Sequence, residues 1–300
     1  MMSLDSGPKP ASCLIAGPED AGFRPISGEG VGRWQRLDAP HFAFRLVRTI
    51  EELADVERLQ REVFGVSDLD LMAASMLVAL PESGGDVIGV FDVSISRVTL
   101  AGFVTAFGGY VDGRPRLCSD MMAIHPGYRR SGLATLLKRL QGALAIQRGF
   151  EEVTWTVDPL RSANARLNFG KLGAIGDRYE RNRYGASYGT GLYGGMPTDR
   201  IHISWPVRSE RVQRVLAGGE PSSHPGEELQ ITIPDDIDAL VQSDPDRALG
   251  WRYALREALE SAFDAGYRIT GFVSRSSPSQ HDLPALVLTR SGRAELGGCR

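Results

Sequence analysis

The residues best suited to chemistry lie in Met121-Met-Ala-Ile-His-Pro-Gly-Tyr-Arg-Arg-Ser-Gly-Leu-Ala134. An apolar strand breaks at His125-Pro126, and Arg129-Arg130-Ser131-Gly132-Leu133-Ala134 runs directly into a long helix. The first turn of a helix offers unpaired amides and the positive end of its dipole, so this junction reads as an anion site. Gly132 lets a phosphate approach the backbone, Ala134 keeps the turn small, and Arg129 and Arg130 add charge. The plainer alternative is an ordinary helix start with solvated arginines.

The elements that must hold this junction follow from periodicity. A first strand runs through Phe42, Phe44, Leu46 and Val47, and Thr49-Ile-Glu-Glu52 forms a capping box for a helix carrying Leu53, Val56, Leu59 and Val63. A second helix is expected over Asp70 to Leu80, stopped by Pro81. Period-two runs at 87–93, 98–107 and 116–124 predict three strands. Leu133, Leu136, Leu137, Leu140 and Leu144 then predict an amphipathic helix over 132–147, ended at Gly149. A strand at 152–157, a short helix at 163–172 and a strand at 201–207 follow. This order predicts an α/β (α+β) layer around a mixed sheet. Residues 1–40, rich in Gly, Pro, Ser and Asp, are expected to form a loosely ordered arm, and 208–226 a linker. Beyond it, strands near 229–233, 267–273 and 286–289 and a helix over 247–265 make a β-α-β extension over 227–300. That extension is too small for its own core and is expected to pack on the main domain, 41–207, or on a second copy in a homodimer.

Composition narrows the classes. The 300-residue chain is 42% hydrophobic and 24% charged, which suffices for a buried core. A net charge of −3 argues against a nucleic-acid partner. Cys13, Cys118 and Cys299 form no CxxC pair, and the five histidines form no HExxH, so no metal site is expected and a reduced, cytoplasmic setting is. No run of about 18 apolar residues is present, so no membrane partner is expected, and no signal peptide is read at the start.

Arg129-x-x-Gly132-x-Ala134 after a strand resembles the acyl-CoA pyrophosphate motif of the GNAT (Gcn5-related N-acetyltransferase) superfamily. Asn164-Ala-Arg-Leu-Asn-Phe-Gly-Lys-Leu-Gly-Ala174 is similar to the short helix after the fifth strand of that family. A narrower resemblance runs through Thr154-Trp-Thr-Val-Asp-Pro-Leu160, Asn168-Phe169, Lys171-Leu-Gly173, Tyr179, Asn182, Tyr184-Gly185, Pro197-Thr-Asp-Arg200 and 267–272. It points to a branch of predicted acyltransferases, some of which occur beside N-acylamino-acid racemases. The resemblance implies a GNAT fold, with a central, mixed but mostly antiparallel sheet flanked by helices. It also implies acetyl-CoA or another short acyl-CoA as cosubstrate, succinyl-CoA included. The acceptor would be the amine of an amino acid or a similar small molecule, attacked directly in a ternary complex. Two alternatives are a non-catalytic acyl-CoA sensor or scaffold and a protein lysine or N-terminal acetyltransferase.

The resemblance also assigns roles. Backbone groups of Met122, Ala123 and Ile124 would pair with the pantetheine arm, the amides from Arg130 through Ser131, Gly132 and Leu133 to Ala134 would hold the pyrophosphate, and Asn164 would contact CoA. The family's carboxylate position falls near Cys118, which is no base. Asp120, two residues on, shares its strand face and is the candidate base. Phe169 replaces a tyrosine common in relatives and cannot donate a proton, which leaves Tyr179 and Tyr184 as candidate acids. Arg200 would hold a substrate carboxylate. Two glycine motifs, G-x-S-x-G at 185–189 and G-x-G-x-x-G at 189–194, lack the strand–turn–helix setting that a nucleophile elbow or dinucleotide site needs, and are read as a loop.

Overall fold

The computed structural model of the protein describes residues 15–26, 32–65, 67–68, 70–96, 98–185, 195–223, 226–274 and 283–290. Its strands are β1 (Arg24–Pro25), β2 (Arg33–Arg36), β3 (Ala39–Leu46), β4 (Asp86–Asp92), β5 (Thr99–Val111), β6 (Arg114–Ile124), β7 (Glu152–Val157), β8 (Ile175–Glu180), β9 (Arg200–Pro206), β10 (Glu227–Thr232), β11 (Arg268–Val273) and β12 (Ala285–Arg290). Its helices are α1 (Ile50–Phe64), α2 (Ala74–Leu77), α3 (Leu133–Gln147), α4 (Ser162–Ala165), α5 (Glu210–Leu216), α6 (Ile237–Ser243) and α7 (Pro245–Asp264). The strands join one sheet in the order β1-β2-β3-β4-β5-β6-β7-β9-β8-β11-β12-β10. Among the described residues, β6 with β7 is the one parallel pairing. This is the mixed sheet that the element order predicts, mostly antiparallel and flanked by helices as the resemblance implies.

Helix α3 covers one face of the sheet centre and α1 with α2 the other. β4 therefore turns Ile88 and Val90 to the α3 side and Val87 and Phe91 to the α1 side, and every residue of it is buried. A strand covered on both faces reads as a continuous apolar run, which is how Val87-Ile-Gly-Val-Phe91 reads. On α3, Leu133, Leu137, Leu140 and Leu144 are all buried, each contributing about 2 kcal/mol. Gly142 allows the helix to lie close against β9, since a Cβ there would stand 2.6 Å from the Trp205 ring. On α1, the Thr49 hydroxyl accepts the Glu52 N–H at 3.3 Å, as the capping box predicts.

Several segments differ from expectation. Order begins before Phe42: β1 and β2 pair onto β3, and Ile15, Phe23 and Trp34 are buried. The helix expected over 70–80 is only the short α2, followed by a 3-10 turn at Leu80–Ser83. The expected linker contains α5, whose Val212, Val215 and Leu216 are buried. β8 lies between segments read as helix and loop.

The C-terminal segment extends the sheet. β11 meets β8 at the single pair Ile269 and Gly176, and α7 packs over β8. From α7, the fully buried Arg252 grips both oxygens of Asp158 at 2.9 Å, just past the end of β7. Burial pushes the Asp158 carboxyl up, but Arg252 outweighs it and holds the group below the ordinary aspartate range.

Candidate active site

The site forms where two strands part. β6 and β7 are paired from Arg116 with Glu152 to Cys118 with Thr154, and beyond that they run on unpaired to Ile124 and Val157. A β-bulge sharpens the divergence. The β5–β6 register breaks between Val104 opposite Met122 and Ala106 opposite Ser119, so Asp120 and Met121 both stand against Thr105. The Thr105 hydroxyl oxygen accepts the Met121 N–H at 3.1 Å. The extra residue changes which side each chain position faces. Ser119 turns toward α3, where it meets Lys138, while Met121 packs with the α1 face and Met122 and Ile124 return to the α3 face.

Two cavities flank these strands. The larger, about 770 Å³, is lined by Ile124, by Arg129 to Thr135 at the start of α3, by Ser162, Ala163, Arg166 and Leu167 beyond β7, and by Asp235, Phe272 and Pro284 of the extension. The smaller, about 230 Å³, is lined by Asp120, Met122, Lys138, Trp155, Asp158, Arg161, Asn164, Tyr184 and Arg200 among others. They adjoin across 122–124 and 161–164.

The larger cavity has the character of an anion groove. α3 starts at Gly132, in the left-handed region at φ +86°, with no side chain capping it. Arg130 is also left-handed, at φ +64°, which costs a non-glycine residue about 1 kcal/mol and is retained where a backbone turn is needed. A Cβ on Gly132 would meet no protein atom within 4 Å, so open space lies in front of these amides. Arg129, Arg130, Ser131, Gly132, Leu133 and Ala134 all fall here, together with Ile124.

The smaller cavity holds the titratable groups. Asp120 lines it, reaching solvent yet surrounded by protein. Burial pushes its carboxyl above the ordinary range, with Arg183 pulling the other way. Burial and the neighbouring Asp120 push the Cys118 thiol up, which makes it a poor nucleophile at neutral pH. The Tyr184 hydroxyl lies 3.4 Å from Thr156 Oγ1, and the Tyr184 N–H donates to Thr198 Oγ1 at 3.0 Å. The Arg200 guanidinium lies 4.9 Å from the Tyr184 ring centroid and donates to the Asp199 carbonyl at 2.8 Å.

Not every expected residue joins the site. Tyr179, expected as a proton donor, lines neither cavity. Its hydroxyl donates to Asp199 Oδ2 at 2.6 Å, and burial together with that carboxylate pushes its pKa up. Asp199 also takes Arg256 at 2.8 and 2.9 Å and the Asn182 N–H at 2.9 Å, so Tyr179 belongs to a clamp that fixes the turn bearing Tyr184. The Ala123 side chain is buried in the α1-side core, leaving only its backbone available. Asn164 lies in the smaller cavity, where the two adjoin. Phe169 is buried in the core. The two glycine motifs fall, beyond Gly185, outside the described residues.

Lys138 escaped the sequence reading. It is 2% exposed, donates to Ser119 Oγ at 2.8 Å and Gln141 Oε1 at 2.9 Å, and lies 3.7 Å from the Trp155 ring centroid. Burial pushes it down to about 7, with Cys118 pulling upward. The available signal was composition: three lysines against 31 arginines, one of them inside an apolar helix. Among the described residues no group of three or more His, Cys, Asp or Glu is placed to hold a metal, and no helix is long and apolar enough to cross a membrane.

The solved structures similar to this chain include the ribosomal-protein-S18-alanine N-acetyltransferase from Escherichia coli, at 15% identity and TM-score 0.44, covering 56% of this chain and 95% of that one. Naa50 from Arabidopsis thaliana, in complex with a bisubstrate analogue, is 14% identical with TM-score 0.42, covering 55% of this chain and 97% of that one. An acetyltransferase of the GNAT family from Streptococcus pneumoniae is 15% identical with TM-score 0.40, covering 54% and 98%. No family model matches the sequence, and no curated protein matches it.

Proposed function

We propose that the chain is an acyl-CoA-dependent N-acyltransferase that moves an acetyl or other short acyl group to the amine of a small acceptor such as an amino acid. The observation that carries this reading is one juxtaposition. A helix start with open amides and two arginines faces the larger cavity, and that cavity adjoins, across strands that part, a smaller one lined by a carboxylate. A pyrophosphate suits the first, and the unpaired edge of β6 over Met122 to Ile124 suits the amide-rich arm of pantetheine. The thioester then lies between the strands, within reach of the second.

In this reading the acceptor's ammonium gives a proton to Asp120, directly or through water. The freed amine attacks the thioester carbonyl carbon, and a backbone N–H near Met122 steadies the oxyanion. The C–S bond breaks as the C–N bond settles, Tyr184 passes its hydroxyl proton to the departing thiolate, and the second proton lost by the attacking nitrogen restores the Tyr184 hydroxyl, directly or through water. Arg200 is the substrate-facing arginine on the opposite wall. Holding both reactants in line supplies most of the acceleration.

The test is thermal shift with acetyl-CoA, succinyl-CoA and free CoA. Wild type is expected to melt higher with each, by the linkage of binding to folding. Gly132→Glu combined with Arg130→Ala is expected to abolish the shift; because Gly132 sits at φ +86°, a glutamate there lowers the unliganded melt somewhat, and the shift is read against the variant's own unliganded melt. A wild-type chain indifferent to saturating CoA species would sink the proposal.

A further inference from the structure

Three arginines of the smaller cavity and its wall are matched with acids. Arg252 grips Asp158, Arg161 pairs with Asp238 at 2.9 Å, and Arg200 acts on Asp158 as a neighbouring charge. Lys138 is different. Its partners, the Ser119 hydroxyl, the Gln141 carbonyl and the Trp155 ring, are all neutral, and among the described residues no carboxylate bonds it. Such partners recover only part of the cost of burying an ammonium. A methionine would fill the same volume without that cost. The amine nonetheless lines the smaller cavity, between Ser119 of β6 and Trp155 of β7, at the point where those strands begin to part.

We propose that Lys138 is an anion-docking residue, and that the group entering the gap between β6 and β7 ends in a carboxylate that pairs with it. This rests on the acyl-transfer reading above. Two sources supply such a carboxylate: the far end of a dicarboxylic acyl group on the donor, or the acceptor's own acid. The other charged or titratable groups lining the cavity are Asp70, Asp120 and Asp158, Arg161 and Arg200, and Tyr184, and beside them on β6 is the thiol of Cys118. Asp158 bonds Arg252 and Asp70 accepts from the Ser67 hydroxyl, so among the described residues neither of these carboxylates bonds the Lys138 ammonium that lines the cavity.

The experiment is calorimetric titration of the full chain in two arms. The first compares acetyl-CoA and butyryl-CoA with malonyl-CoA and succinyl-CoA. The second, with free CoA present so that no turnover occurs, compares each standard amino acid with its amide. In one arm, wild type is expected to bind the carboxylate-bearing ligand tighter by about 30-fold or more, and K138M to bind both members alike. The arm that responds identifies the source. A carboxylate preference in neither arm, or one that K138M keeps, overturns the proposal. Acetyl-CoA that binds without any such preference sinks this proposal alone, whereas failure of every CoA species to bind wild type sinks the acyl-transfer reading as well. K138M is expected to melt no lower than wild type, and K138Q, which keeps polar contacts to Ser119 and Gln141 without the charge, provides a second variant for the same comparison.

Discussion

Asp120→Asn is expected to lower kcat by about 10²- to 10⁴-fold, the range for loss of a positioned proton acceptor, while leaving acyl-CoA binding intact. The bulge at 120–121 is the physical reason. It places a carboxylate in the lining of the smaller cavity, on the β6 segment proposed to carry the thioester. Burial raises its pKa, which brings a carboxylate closer to the proton affinity that amine deprotonation needs. A raised folded-state pKa means that the folded chain binds the proton more tightly than the unfolded chain does. Stability is therefore fully present below the ordinary aspartate value and falls as pH rises through the folded one. At neutral pH the ionised Asp120 costs stability, so the asparagine variant is expected to melt at or above wild type. The acid limb of the wild-type rate profile is expected above the ordinary aspartate range. Thiol-release kinetics across pH, with thermal melts alongside, check both. An Asn variant with wild-type turnover would remove Asp120 from the chemistry.

Arg252→Met is expected to destabilise the fold by about 3–5 kcal/mol, because it leaves the Asp158 carboxylate buried without its partner. Asp158→Leu with Arg252→Met is expected to recover part of that loss, since it removes the unpaired carboxylate but also the acceptor of the Leu160 N–H. Asp158 Oδ1 also accepts the Leu160 N–H at 3.0 Å, so the double variant, which removes that acceptor, is expected to loosen the turn that presents Arg161 and Asn164 to the smaller cavity. The pH dependence runs opposite to that of Asp120. Asp158 is held below its ordinary value, so its contribution is present above the unfolded value and is lost as pH falls through the folded one. Denaturant melts at neutral and acidic pH measure both effects. An Arg252→Met chain as stable as wild type would show that the pair does not couple the extension to the site.

The central sheet was legible because its burial is symmetrical. β4, β5, β6 and α3 carry their apolar residues at the periods the geometry demands, and Gly149 (φ +86°) marks the helix end. The glycine-led start of α3 was legible because its residues are consecutive. What escaped depends on partners distant in sequence. β8, Ile175-Gly-Asp-Arg-Tyr-Glu180, is too polar to announce itself, and its Tyr179 and Asp177 are accommodated by residues that arrive later in the chain. α5 is seven residues long and lies beside the Gly218-Gly219 pair that marks a loop. The bulge shows no local signature in Ser119-Asp-Met-Met122, since it is a misalignment between two strands. Lys138 is buried through contacts from β6 and β7 that helix periodicity cannot foresee.

The strand order at the far edge bears on how the protein is made. β12 is the last strand of the described chain, yet it sits between β11 and β10, and β10 has no other neighbour in the sheet. During synthesis β10 therefore has nothing to pair with until residues 285–290 have been made, and β11 waits with Ile269 and Phe272 on an open edge. Domains fold as their segments become available, and unpaired edges are where nascent chains associate wrongly. Pro284 and Phe272 belong to the wall of the larger cavity. A ribosome paused before β12 thus holds a chain with a finished central sheet and an open far edge, before the strand that fixes Phe272 and Pro284 in the cavity wall has inserted.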